Sequence, residues 1–412
     1  MGKHTTARTY QVKAQLTREG HRRLDAVLRM SARLYNAALQ ERRDAYRMAG
    51  VSISKYDQTK QFTLVRGDDP AWAALDVQVG RSALFRVDRA YQAFFRRIKA
   101  GDKPGFPRFR SSRRYRSIEL TDAGSRSWLT VNGDRAQIRV KGLPTLRLRP
   151  HRPLPAGQPQ AVRITRKARG VYVDLVYGHD DPPTSGALPA NPIGIDMGVA
   201  KRVSLSDGQT VAGVEIDRRR LRRLQRRVSR AKRGSNGRGR KVAALAREWQ
   251  RVADAERGKA HQLTAALVQQ YDFFAVEDLQ IPNMTRSAAG TPEEPGQNVA
   301  AKSGLNRSIL AQSWGRVLSQ LEYKAASAGV PLVRVNPAYT SQGCAACGVV
   351  DGESRDGQSF RCGHCGYAAD ADVNAAINIL RRGLDAAFGP AGSMPARAAG
   401  CQQPRPLGPV RA

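Results

Sequence analysis

Acidic residues are scarce in this 412-residue chain: 35 Asp and Glu stand against 69 Lys and Arg, a formal charge of +34 at pH 7. So large an imbalance exceeds what solubility requires. It repels other basic proteins and draws a polyanion, for which nucleic acid is the natural candidate. Long apolar runs are missing too. No stretch approaches the roughly 18 residues of a membrane span, and no signal-peptide core follows Met1. The acylation-like start, Met1-Gly2 with Thr6, is a pattern short enough to arise by chance, and no long amphipathic stretch would seat the chain on a membrane surface. A membrane partner is therefore excluded and a cytosolic location is expected. Cysteine is sparse as well. Five in the whole chain do not make a disulfide framework, and four of them have metal-ligand spacing. The length predicts two or three domains, because a single core stops growing at around 250 to 300 residues.

Hydrophobic periodicity divides what is present. A short alternating run, Thr9 to Leu16, precedes a helix from Arg18 to Met48 with Leu24, Val27, Leu28, Leu34 and Leu39 at helical spacing. A second helix spans Val77 to Ala100 and ends before Lys103-Pro104-Gly105-Phe106-Pro107-Arg108-Phe109-Arg110. Short strands follow at Trp128–Val131, Ala136–Val140, Thr145–Arg149, Val162–Thr165 and Val171–Val176. An Asn132-Gly133 turn among them marks a hairpin, and the set suggests a small barrel or curled sheet. Asp180-Asp181-Pro182-Pro183-Thr184-Ser185-Gly186 reads as a linker, placing a boundary near residue 185.

Beyond it, strand-like residues run to about Ile216. Asp217 to Arg240 then holds eleven arginines and no acid after Asp217, a pattern that suits a phosphate-facing surface on two antiparallel helices. A strand from Asp272 to Val276, a polar loop from Ile281 to Gly304 and a helix from Leu305 to Gly329 follow. Next come a strand from Pro331 to Val335 and a last helix starting near Asp372. After Gly383 the Gly, Ala, Pro and Arg composition predicts a disordered tail to Ala412, with Cys401 idle in it.

Cys344-x2-Cys347 and Cys362-x2-Cys365, fourteen residues apart, carry the sharpest chemical signal. Two such corners close a tetrahedron of thiolates around Zn²⁺, with Gly348 and Gly366 easing the turns, and a closed four-thiolate site is structural. His364 is surplus to it. The catalytic candidates are Asp196, Glu277 and Asp372. Asp196 and Glu277 end the apolar strands Ile193–Ile195 and Phe273–Val276, and Asp372 opens a helix. If the strands are neighbours and the helix crosses them, three carboxylates converge in a donor set suited to Mg²⁺ or Mn²⁺. Each acid also has an ordinary reading as a turn residue or, for Asp372, as a helix cap. Asp278 and Asp370 are rivals to Glu277 and Asp372.

Several stretches together resemble the transposon-encoded TnpB (OrfB) family, which is related to small type V CRISPR effectors. They are Gly194-Ile195-Asp196-Met197-Gly198, Val276-Glu277-Asp278-Leu279, Tyr339-Thr340-Ser341-Gln342 before Cys344, and Cys365-Gly366 followed by Asp370-x-Asp372-x-Asn374-Ala375-Ala376-x-Asn378-Ile379. The Phe94-Phe95 helix running into Pro104–Phe109 is similar to the family's amino-terminal half, and the resemblance extends over residues 8 to 382.

It implies an α/β multidomain fold in which an RNase H-like RuvC nuclease domain carries an inserted zinc ribbon and is preceded by a β-barrel wedge domain and a helical recognition lobe. The expected segments are a first wedge strand at 1–17, the lobe at 18–110, the wedge at 111–185, the first nuclease part at 186–336 with an arginine-rich hairpin at 217–256, the ribbon at 337–368, the last nuclease part at 369–382 and the tail at 383–412. It also implies Asp196, Glu277 and Asp372 as catalytic acids holding two Mg²⁺ or Mn²⁺ ions, which settles Asp372 over Asp370, and the four cysteines as zinc ligands. The implied activity is guide-RNA-directed cutting of double-stranded DNA beside a short adjacent motif, with no small-molecule substrate. The rivals are a non-cleaving RNA-guided regulator and a strand-joining transposase.

Overall fold

A computed structural model describes residues 5–184, 186–213, 217–291 and 293–389. The expected tail beyond 389 with Cys401, linker residue Ser185 and the strand end at Ile216 lie outside the described residues. The chain divides into two compact units after Asp180.

The first unit begins with β1 (Thr5–Gln15) and the helices α1 (Arg18–Ala49), α2 (Lys55–Asp68), α3 (Pro70–Ala73) and α4 (Val77–Lys99). It continues with β2 (Ser117–Leu120), β3 (Leu129–Asn132), β4 (Arg135–Ile138), β5 (Leu146–Leu148), β6 (Ala161–Lys167) and β7 (Gly170–Asp180). These strands form one sheet in the order β2-β6-β7-β1-β5-β4-β3. Its pairs are antiparallel throughout, and the period-two pattern is visible in β7, where Val171, Val173, Leu175 and Tyr177 are buried. Strand β1 pairs with β7 from Thr5 to Ala14 and turns to β5 at Ala14 and Gln15. The two long helices share the sheet's core through Leu24, Leu28, Leu39, Val79, Leu84 and Val87.

Sequence periodicity missed α2, whose Ser54 cap and Asp57 form a capping box, because Phe62 and Gln58 are its only buried side chains. The hairpin lies one residue later than expected: Asn132 pairs with Arg135, leaving Gly133, at φ +58°, and Asp134 as the turn.

The second unit contains β8 (Pro192–Asp196), β9 (Lys201–Leu205), β10 (Thr210–Ala212), α5 (Arg219–Ser229), α6 (Asn236–Gln270) and β11 (Phe273–Glu277). It goes on through α7 (Ile281–Met284), α8 (Val299–Gln312), α9 (Trp314–Ala328) and β12 (Leu332–Val335). Its sheet order is β10-β9-β8-β11-β12, with β8, β11 and β12 parallel and the β8–β9 and β9–β10 pairs antiparallel. Every residue of β11 is buried, as befits a central strand covered on both faces. Ile193, Ile195, Phe274 and Val276 pack with Leu263, Leu267, Val317 and Leu321 of α6 and α9. On the other face, Phe273, Ala275 and Val335 pack with Ile379 and Leu384.

Those last two belong to α10 (Ala371–Phe388), reached through a small sheet of β13 (Arg355–Asp356), β14 (Ser359–Arg361) and β15 (Ala368–Asp370). Two glycines let α10 lie close. A Cβ on Gly194 would stand 2.0 Å from the Ala376 carbonyl oxygen, and one on Gly383 would stand 2.4 Å from the Ala275 Cβ.

Three expectations need correction here. The polar loop ends at Asn298, not Gly304, because α8 starts at Val299. The single helix from Leu305 to Gly329 is two, broken at Ser313, whose φ of +55° is left-handed. Leu310 accordingly leaves the shared face and is 60% exposed, while Trp314, Val317 and Leu321 stay buried. Spacing of three and four residues continues across the break, so periodicity could not show it. Finally, α10 runs on to Phe388, past the tail's expected start at 383, because Leu384 anchors it.

A three-carboxylate site beside a four-cysteine centre

Parallel register brings two of the acids level. Ile193 lies opposite Phe274 and Ile195 opposite Val276, so Asp196 and Glu277 are the next residues on adjacent strands, with backbones about 4.8 Å apart. Alternation then decides their side. Phe273 and Ala275 face the α10 core, as does Gly194, so Glu277 and Asp196, two residues on, point that way as well. Asp372 sits in the first turn of α10, covering this face, and a Cβ on Gly198 would come within 4.0 Å of its Oδ2.

The electrostatics record the convergence. Burial pushes the Asp196 carboxyl up to about 7, with the neighbouring charges of Glu277 and Asp372 adding to the rise and Arg355 opposing it. Burial also raises Glu277, against a Thr340 hydrogen bond and the positive charge of Arg382. Arg355 pairs with Asp372 and the charge of Arg382 bears on Glu277, but Asp196, which ionises only near neutrality, has no ion-pair partner among the described residues.

The rival acids have other work. Asp370 is the cap of α10, accepting from the N–H groups of Asp372 (3.1 Å) and Val373 (3.3 Å), and it pairs with Lys201. Burial works to raise its pKa, but Lys201 and those N–H groups hold it below the usual carboxylate range. Helix capping thus falls to Asp370, and Asp372 is left free to face the other acids. Asp278 is half exposed and pairs with Arg334 at 3.5 Å.

Neighbours that periodicity did not reveal hold the acids in place. The Thr340 hydroxyl donates to Glu277 Oε1 at 2.6 Å, and Arg355 donates to Asp372 Oδ1 at 3.0 Å. Asn378 donates to the carbonyls of Thr340 (3.0 Å) and Gly343 (2.7 Å). Asn374 donates to the Gly343 carbonyl (2.8 Å) and accepts from the Ala345 N–H (2.9 Å). Two asparagines four apart on an otherwise apolar helix face were the available signal, since buried amides need partners.

Cys344, Cys347, Cys362 and Cys365 gather with their sulfurs all within 4.8 Å of one another. Cys344 and Cys365 sulfurs are 3.6 Å apart, and those of Cys347 and Cys362 are 3.7 Å apart. The edge of a tetrahedron with Zn–S bonds of about 2.3 Å is about 3.8 Å, so the donor set fits zinc. Both corners repeat one backbone pattern. Gly348 donates to the Cys344 carbonyl and Gly366 to that of Cys362, while the two cysteine N–H groups donate to Val349 and Tyr367. Both glycines have positive φ, at +79° and +73°, the conformation in which a Cβ is strained.

Comparison with known proteins follows the same division. The family described as "Probable transposase" (OrfB of IS605) matches residues 175–288, and the "Cas12f1-like, TNB domain" matches residues 314–379. InsQ of Escherichia coli K12, a protein named for RNA-guided DNA endonuclease activity, is 36% identical over 74% of this chain and 73% of its own length. The chain belongs to the TnpB (OrfB) family. Another relative of this TnpB-family chain, a Streptomyces pristinaespiralis protein named for the same activity, is 29% identical over 86% of the chain and 83% of its own length. In fold, the chain is similar to Cas12f1 in a cryo-EM Cas12f1–sgRNA–target DNA complex, with a TM-score of 0.54 at 12% identity over 91% of this chain and 98% of that one. Among the described residues, no helix is long and apolar enough to cross a membrane.

Proposed function

We propose that this chain is an RNA-guided DNA endonuclease that hydrolyses a phosphodiester at Asp196, Glu277 and Asp372. The observation that carries the chemistry is the meeting of these three acids on one face, two at the carboxyl ends of adjacent parallel strands and one in the first turn of the helix above them. Ligands of open α/β sheets gather at that end. The names of the family's relatives, RNA-guided DNA endonucleases among them, favour guided cutting over a silent regulator or a strand-joining transposase. Guide RNA and double-stranded target DNA are then the partners, and the +34 charge suits holding both.

Three converging carboxylates, of which Asp196 has no ion-pair partner among the described residues, offer the hard oxygen donors that fit a divalent cation. When bound, two Mg²⁺ or Mn²⁺ ions supply a clamp for the attacking and leaving oxygens of an in-line displacement. The chain's own residues prepare that place. Thr340 fixes the Glu277 carboxylate by its short hydrogen bond. Arg355 takes Oδ1 of Asp372, which orients the group while its second oxygen stays toward Gly198. Asp196 is the acid that must lose its proton, since its carboxyl ionises only near pH 7 without a cation. The four cysteines hold Zn²⁺ as a closed structural centre that takes no part in hydrolysis.

On this reading the second unit is a RuvC-type nuclease of RNase H-like build, residues 337–368 are its ribbon, and the sheet and helices of the first unit are the wedge and recognition lobe. Asp196→Ala in the RNA-loaded protein abolishes Mg²⁺-dependent cutting of a guide-matched duplex and leaves RNA and DNA binding within about twofold of wild type. Undiminished cutting by that variant would remove these acids from the chemistry.

A further inference from the structure

Of the four tryptophans, Trp72, Trp128 and Trp314 are buried, whereas Trp249 on α6 is 45% exposed. It stands where two cavities of about 720 and 1100 Å³ meet, both of which are also lined by Arg218 and Arg307. Arg222 of α5 lines the larger one. Arg218 is neutralised by Glu256 at 3.7 Å, but Arg222 and Arg307 have no ion-pair partner among the described residues. The smaller cavity is bordered by Leu310, 60% exposed, and by Asn306, whose buried Oδ1 has no hydrogen-bond partner.

An open indole sharing a cavity wall with two guanidinium groups that have no ion-pair partner among the described residues, though Asp217 also lines the larger cavity, suits the alternation of base and phosphate along a single strand. A duplex offers no free base face for the indole, and a peptide would need to be acidic as well as aromatic to match. One wall of the groove, α8, leads into Trp314 at the start of α9. Arg307 is seven residues before Trp314, whose indole N–H donates to the Gly198 carbonyl at 3.1 Å.

We propose that this groove holds the DNA strand being cut in unpaired form, with a base stacked on Trp249 and phosphates on Arg222 and Arg307. The assignment rests on the cutting function above. It extends that function by naming where the scissile strand is gripped beside the acids.

The test titrates the RNA-loaded full chain, without divalent cation, with dye-labelled and unlabelled oligodeoxythymidine. Tryptophan emission falls in the wild type and does not fall in Trp249→Phe. Anisotropy of the labelled strand shows affinity lowered about tenfold in Trp249→Ala and in Arg222→Gln/Arg307→Gln, while Trp249→Phe, which keeps an aromatic face, stays within about twofold. Equal affinity in Trp249→Ala overturns the proposal. So does quenching that persists in Trp249→Phe, and so does emission already quenched by the loaded RNA and restored when that RNA is removed. Asp196→Ala keeps the quench, so failure of the groove and failure of the nuclease site read out separately.

Discussion

Replacing Asp196 by Asn isolates the cost of ionising a buried carboxyl beside two others. In the metal-free fold this carboxyl ionises near pH 7, against an ordinary value of 3.8. Between those two values the folded protein keeps a proton that the unfolded chain has released, so stability falls as pH rises and the loss is complete above about pH 7. The gap of roughly three units corresponds to about 4 kcal/mol at about 1.4 kcal/mol per unit, of which about 3 kcal/mol lies between pH 5 and pH 8. The amide of the variant does not titrate. Without added Mg²⁺, thermal unfolding of the second unit should therefore give a midpoint difference, variant minus wild type, that grows by about 6 to 12 °C from pH 5 to pH 8, at roughly 2 to 4 °C per kcal/mol for a unit of this size. Calorimetry of Mg²⁺ binding to the wild type in buffers of different ionisation enthalpy should show close to one proton released near pH 6 and almost none at pH 8.5. Parallel midpoint curves for the two proteins, or Mg²⁺ binding with no proton release at pH 6, would show that Asp196 is not a buried carboxyl held protonated beside the other two.

Asp370→Ala removes a helix cap and the Lys201 ion pair, so it should cost about 1 kcal/mol of stability and leave guided cutting within about threefold at 25 °C; a loss as complete as that of Asp372→Ala would mean that the two acids have been assigned the wrong way round. Cys365→Ser should lower zinc content measured by plasma mass spectrometry from one equivalent to well under half, and should lower cutting at least about tenfold although no cysteine touches the acids; full cutting in a zinc-free folded variant would break the link between the two centres.

The elements were legible where one period ran without interruption. Arg18–Ala49, Val77–Lys99 and the strand ending at Glu277 each carry an apolar repeat long enough to name helix or strand. The break at Ser313 was hidden because a single left-handed residue leaves the spacing of its neighbours intact. The acids were legible as three strand or helix ends, but their convergence was not, since it depends on a register that pairs Ile195 with Val276. No pattern local to either strand encodes that pairing. The resemblance pointed to Asp372 over Asp370, but no local pattern tells which of the two acids the helix's own N–H groups take. Gly194 lies inside the strand Ile193–Ile195, and no pattern local to it shows that its missing side chain admits the backbone of α10 at Ala376.

That close approach explains why the four-cysteine centre and the acids belong to one structure. Helix α10 brings Asp372 to the sheet, and the same helix holds the first cysteine corner through Asn374 and Asn378. From that corner Thr340 reaches Glu277, and from the small sheet of the second corner Arg355 reaches Asp372. Two of the three carboxylates are therefore oriented by residues whose own positions depend on the cysteine centre. The third, Asp196, is fixed by its strand and carries the strongest electrostatic penalty. Oriented side chains lose little freedom when a cation binds, and above about pH 7, where Asp196 has lost its proton, a cation would relieve the penalty that the proton relieves below it. On the proposed function, a site built this way would bind its cation through relief of burial and repulsion at Asp196 rather than through movement, and would lose its geometry if the cysteine centre came apart.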